Sequence, residues 1–179
     1  MKTSKNIFLL LFAITIIATN YSCDKIDELL TFTISNTTEI VVETSIPVAL
    51  PFEIPTPDIT TDSEEEMSKN NTSVDLIKDV LLTSLNMRIK DPADKTFSFL
   101  KSIHIYISTD DSDEIELAGK DNIDANTNSI NLTTTNSKLD KYIKADKYKL
   151  RTEVTTKETV TKDITIEINM EYKITADPL

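Results

Sequence analysis

Ile164-Thr165-Ile166-Glu167-Ile168-Asn169-Met170-Glu171-Tyr172-Lys173-Ile174 decides the fold class. Apolar and polar residues alternate without a break over these 11 residues. A strand's side chains point to opposite faces in turn, so this segment reads as a strand with one face in a core and the other in water. The preceding stretch repeats the pattern, with Tyr148, Leu150, Thr152 and Val154 set against Lys147, Lys149, Arg151 and Glu153. Ile103, Ile105 and Ile107 flank His104 and Tyr106, and Leu85, Met87 and Ile89 flank Asn86 and Arg88. Shorter candidates are Leu30-Phe32-Ile34, Ile40-Val42, Ile115-Leu117 and Ile130-Leu132. Half-wet strands of this kind pack as antiparallel sheets face to face, and the long helical crossovers of a parallel sheet are missing. The expected fold is mainly β: an antiparallel Ig-like β-sandwich with one or two short connecting helices.

Those helices are predicted after Ser137, with Leu139, Tyr142 and Ile143 on one face, and after Ser73, over Val74 to Leu81. Residues 44–72 differ in kind. Pro47, Pro51, Pro55 and Pro57 punctuate the first half, and Asp58 to Glu66 holds five acidic residues and no basic one. Proline cannot donate to a sheet ladder, so the segment reads as an exposed, mobile excursion from the sandwich. Gly119 is the one glycine, which leaves the turns to Asn, Asp, Ser and Pro; Thr109 to Asp113 and Asp121 to Ser129 supply them.

The first residues carry a different message. Lys2 and Lys5 form a basic head, Ile7 to Ala18 is an apolar run of 12 residues broken only by Thr15, and polar Thr19 to Ser22 leads to Cys23. The run is too short for the ~20 residues of a spanning helix and has the proportions of an export signal. Cys23 is the only cysteine, so no intrachain disulfide can form, and a free thiol on an exported chain is a liability unless modification consumes it. The expected organisation is a signal peptide at 1–22, a lipidated tether at 23–28, and a single domain at 29–179 carrying the 44–72 excursion. Loss of Lys2 and Lys5 with the signal takes the formal charge from −11 to −13. So acidic a chain is repelled by phosphate backbones, and no nucleic-acid partner is expected.

Composition excludes several chemistries. Phosphate-cradling loops need several glycines, and there is one. One histidine, with Cys23 committed to an anchor, leaves no zinc set. His104 would have to serve as the base of any Ser-His-Asp arrangement, but it sits opposite the alternating isoleucines and is expected to face solvent. A glycosidase could use paired carboxylates, yet the chain has no Trp to build a sugar platform. Calcium is the metal to weigh. Asp110, Asp111 and Asp113 share one turn with Glu114, and Asp124, Asn126 and Asn128 alternate like the first ligands of a calcium loop. Ser129 and Thr135 stand where such a loop needs glycine and glutamate. Asn36-Thr37-Thr38, Asn71-Thr72-Ser73 and Asn131-Leu132-Thr133 match the N-glycosylation triplet and are discounted beside a bacterial-type signal.

Ser22-Cys23 after the apolar run resembles the lipobox of bacterial lipoproteins, with Tyr21 and Asn20 departing from its usual residues. With the alternating strands, Phe99 to Ile107 and Tyr142 to Asp146, the chain resembles Bacteroidota-type cell-envelope lipoproteins of unknown function. The resemblance implies lipid, palmitate among the acyl chains, on Cys23 and an outer-membrane location facing periplasm or cell surface. Asp24, Asp27 and Glu28 look like a partial version of the acidic cluster linked in that group with surface export. The expected role is a non-enzymatic structural or protein-interaction module without cofactor. Its partners would be the membrane, through the anchor, and envelope proteins or glycans; the alternative is a calcium- or glycan-binding module.

Overall fold

The computed structural model describes residues 30–44, 48–123 and 126–177. The segments expected as signal and tether, with Cys23, lie outside the described residues. Among the described residues ten strands run in chain order: β1 (Thr31–Val42), β2 (Pro51–Pro55), β3 (Ile59–Thr60), β4 (Ile77–Asp91), β5 (Leu100–Ser108), β6 (Ile115–Lys120), β7 (Ser129–Asn131), β8 (Thr133–Thr134), β9 (Lys147–Thr156) and β10 (Ile164–Ala176). The same residues include the short helices α1 (Ser63–Lys69) and α2 (Asp140–Lys144). A four-stranded sheet has the order β1-β10-β4-β7; a six-stranded one has β2-β9-β5-β6-β8, with β3 also on β9. All named strand pairs are antiparallel. The two sheets close one core, so the fold is an antiparallel β-sandwich.

Alternation places the core where the sequence pattern puts it. From β10, Ile164, Ile166, Ile168, Met170, Tyr172 and Ile174 are buried; facing them across the sandwich are Ile103, Ile105 and Ile107 of β5 and Tyr148, Leu150 and Val154 of β9. One polar chain crosses this apolar interior. Asn36 Nδ2 donates to the Tyr148 hydroxyl at 3.1 Å, that hydroxyl lies 3.3 Å from the Tyr172 hydroxyl, and Tyr172 donates to Met170 Sδ at 3.2 Å. Burial pushes both tyrosines above their usual range, Tyr172 well above it.

Three expectations need correction. The helix over Val74–Leu81 is one 3-10 turn (Val74–Leu76) followed by the 15-residue strand β4. Bulges are the reason. Against β10, residues Lys78, Thr83 and Lys90 are each an extra residue on β4. Each bulge turns a spacing of two into three, so the buried Ile77/Val80 and Leu82/Leu85 pairs imitate a helical stripe. Second, Leu30–Ile34 and Ile40–Val42 are not two strands. Asn36-Thr37-Thr38, between those two segments, continues β1 in unbroken register with Asn169 and its neighbours, and Asn36 turns inward to the tyrosines. Third, the segment 44–72 contributes to the sandwich. β2 is an edge strand on β9, with Pro51 and Pro55 at its two ends, where a missing donor costs least. Its Ile54 is buried, and Met67 of α1 joins the core.

The α2 helix does follow Ser137, but its cap position is Leu139, with Tyr142 and Ile143 buried. Turn chemistry follows the shortage of glycine. Asp62, Asn71, Asn122 and Asn136 take left-handed backbone conformations, which short polar side chains tolerate; Ala49 is the apolar exception.

Candidate functional site

Gly119 makes no turn. It lies inside β6, with ordinary backbone angles, opposite His104 of β5. Its surroundings explain the choice. Leu117 is an extra residue in the β5–β6 ladder, so Leu117 and Ala118 both point into the core. This bulge brings Glu116 and Gly119 onto the same outer face as His104. A Cβ at Gly119 would lie 2.6 Å from His104 Nδ1 and 2.6 Å from Glu116 Oε1. The one glycine is the gap through which the imidazole reaches the carboxylate.

His104 Nδ1 sits 2.8 Å from Glu116 Oε1, and Nε2 sits 3.5 Å from Asp121 Oδ1. The hydrogen bond to Glu116 raises the imidazole above its ordinary pKa, partial burial opposes the shift, and Asp121 adds to it. One place along the strands, Arg151 of β9 is opposite Tyr106. The Arg151 guanidinium carbon lies 4.0 Å from the Tyr106 ring centre. Its Nε and Nη2 donate to the two oxygens of Glu114 at 2.8 Å each, while Nη1 reaches Glu53 at 2.9 Å and Glu153 at 3.3 Å. The fork holds the Glu114 carboxyl below its usual range and raises the guanidinium further. Tyr106 is pushed up first by burial, then by Glu153 and Glu116.

The outer face of the six-stranded sheet is therefore a polar surface with an arginine held over a tyrosine ring at its middle. Both nitrogens of His104 face carboxylates, and among the described residues no hydroxyl is bonded to either, so the imidazole activates no nucleophile in this geometry.

The calcium candidates do not converge. Asp113 is 7% exposed and already saturated: it accepts from Thr109 N at 2.8 Å, Thr109 Oγ1 at 2.5 Å and Asp110 N at 3.1 Å, with Lys141 Nζ at 2.6 Å. Lys141 and Thr109 hold its carboxyl well below the usual range. Asp110 caps Ser112 through N at 2.7 Å and Oγ at 2.6 Å. Asp111 lines a separate shallow depression with Glu53, Asp58 and Arg151. Asp124 lies outside the described residues; Asn126 is exposed, and the Asn128 carbonyl accepts from Ile89 N at 2.8 Å. Among the described residues no three His, Cys, Asp or Glu side chains group as metal ligands, and no helix is long and apolar enough to cross a membrane.

His104 sits on the outer face, as its place in the alternation predicts, with 26% of its side chain exposed. The partners of His104 and the Arg151–Tyr106 stack were not read from the sequence. The signal for the first was present: two consecutive core residues, Leu117 and Ala118, before a glycine in a strand. No family model matches the chain, and no curated protein matches it. A solved structure from Desmodium yellow mottle tymovirus is similar at 14% identity over 83% of each chain, with a TM-score of 0.25, too slight a likeness to bear on function.

Proposed function

We propose that this protein is a lipid-anchored cell-envelope module of Ig-like type that acts by contact rather than catalysis. Its anchor is Cys23 and its partner-facing surface is the outer face of the six-stranded sheet. The observation that carries the anchor is Ser22-Cys23 a short polar step after a signal-length apolar run, with Cys23 seven residues ahead of Leu30 and the start of β1. Each buried methylene of an acyl chain contributes about 0.8 kcal/mol, so two or more chains hold the domain at an outer membrane without a basic patch. A short polar tether then leaves the sandwich free in water on the periplasmic or cell-surface side.

The contact role is supported by the Arg151–Tyr106 pair. Arginine and tyrosine are enriched among the side chains that dominate interface energies, and here Glu114 already fixes Arg151 against the Tyr106 ring, so less freedom is lost on binding. Envelope proteins or glycans are the proposed partners, with no cofactor.

Intact mass of the protein from its native envelope tests the anchor. The expected species begins at Cys23 with acyl mass added, and a Cys23→Ala variant lacks that mass. An unmodified species sinks the anchor and makes this a secreted domain with a free thiol.

A further inference from the structure

Every open sheet needs a way to stop its edges pairing with other chains, and such edges are blunted by proline, lysine, bulges or short length. Among the described residues the outer strands β2, β3, β7 and β8 obey, β3 with only two residues. β2 has five residues with proline at both ends, β7 has three residues, and β8 has two. β1 does not. It runs for 12 residues, pairs with β10 through 12 consecutive positions without a bulge, and contains no proline, glycine or lysine. Its one charge, Glu39, is already paired with Lys90 at 2.5 Å. Among the described residues, no backbone hydrogen bond from Phe32 to Val42 reaches anything outside the β1–β10 ladder.

We propose that β1 is the pairing edge for a second copy of this chain, joined antiparallel about a two-fold axis at Thr37. The register follows from the sequence of β1 itself. With Thr37 opposite Thr37 of the second copy, Phe32 falls opposite Val42, Ile34 opposite Ile40 and Asn36 opposite Thr38 on the core-facing side. On the outer side Thr33 meets Val41, and Ser35 meets Glu39. Apolar groups meet apolar groups and polar meet polar. A shift of two residues either way sets Ile34 against Thr38 or Ile40 against Asn36, which leaves a buried aliphatic beside a polar group. The register also gives Val41, 46% exposed and one of three large apolar side chains on the described surface, the Thr33 methyl as a neighbour.

Charge permits contact at this edge. Two mature chains at −13 repel, but β1 carries one carboxylate, Glu39, and that group is already paired with Lys90 of its own chain. The product is a continuous eight-stranded sheet. The two Thr31 ends then lie ~40 Å apart, twelve strand rises, so two anchors in one leaflet set these strands along the membrane plane.

Sedimentation equilibrium of the full chain tests the proposal, with Cys23→Ala alongside to separate lipid-driven clustering from strand pairing. A concentration-dependent dimer is expected in both. Thr37→Lys places two ammonium groups opposite each other and should weaken the dimer about tenfold or more, as should Thr37→Glu with its two carboxylates. An equimolar mixture of the two variants should associate at least as well as the parent. Circular dichroism checks that both variants are folded; their cost is small, since Thr37 is exposed and loses one bond to Asn169. A monomer at all concentrations overturns the proposal. So does association that vanishes with Cys23→Ala, or that persists unchanged in the single variants, or a mixture that stays monomeric.

Discussion

The two sheets are built alike on the inside and differently on the outside. Each inner face is a row of isoleucine, leucine, valine and tyrosine set by period-two alternation. The outer face of the four-stranded sheet carries short groups bonded to each other, such as Thr37 to Asn169 and Asn86 to Ser129 and Asn131, with Lys90 shared between Glu39 and Glu167. The outer face of the six-stranded sheet carries an imidazole, a phenol and a guanidinium among the carboxylates of Glu53, Glu114, Glu116, Asp121 and Glu153. Folding constrains the inner rows tightly, because an interior is close-packed. It hardly constrains the outer rows, so a fixed and costly arrangement there is a better pointer to role than any core residue. The edges divide the opposite way: the charged sheet ends in the proline-bounded β2, the neutral one in the unguarded β1.

The largest effects should fall equally on the two inner faces. Ile168→Ala in the four-stranded sheet and Ile105→Ala in the six-stranded sheet each remove a fully buried side chain. Each should cost about 2–5 kcal/mol in urea unfolding, with one transition for both. Two transitions, or a loss below 1 kcal/mol in one sheet (a small fraction of that range), would show that the sheets do not share a core.

A smaller loss is expected from Tyr148→Phe, which deletes the hydroxyl that joins Asn36 to Tyr172 across the sandwich. A buried amide left without its acceptor costs about 1–3 kcal/mol. If Tyr148→Phe is neutral while Tyr148→Ala is severe, the ring matters and the polar chain does not.

The smallest change in stability, and the sharpest test of the outer faces, is Gly119→Ala. The new methyl displaces the far ends of two side chains rather than backbone, so the cost should be about 1 kcal/mol or less. The informative readout is the His104 titration by NMR, which should fall back toward 6.5 as the bond to Glu116 is lost. The sign follows from linkage. A histidine raised in the folded state stabilises the fold fully below its unfolded value near 6.5, and that contribution fades as pH rises through the raised value. The difference between parent and variant should therefore be greater in slightly acid solution than at alkaline pH. Asp121, 3.5 Å from Nε2, stays beside the imidazole in the variant and limits how far the titration can fall. A titration unmoved by Gly119→Ala would mean that the imidazole does not need the gap.

Much of this protein was written in local pattern. Unbroken alternation from Ile164 to Ile174 needs no partner to be read, and it returned the sandwich, the inner faces of β5 and β9, and the outward place of His104. Of the turn stretches expected from the glycine shortage, Asp121 to Ser129 holds one left-handed residue, Asn122, while Asp62, Asn71 and Asn136 lie outside them. Pattern failed wherever an extra residue broke the period. The bulges of β4 made a strand look like a helix, and the bulge at Leu117 hid the pairing of Glu116 with His104. It failed again where a polar residue had a buried partner far along the chain, as Asn36 has in Tyr148. Alternation is a property of one strand's own backbone, so the sequence alone determines it. Bulges, cross-sheet hydrogen bonds, the contact of Arg151 with Tyr106 and the place of β1 at the end of its sheet depend on which strand lies next to which, and only the tertiary structure decides that.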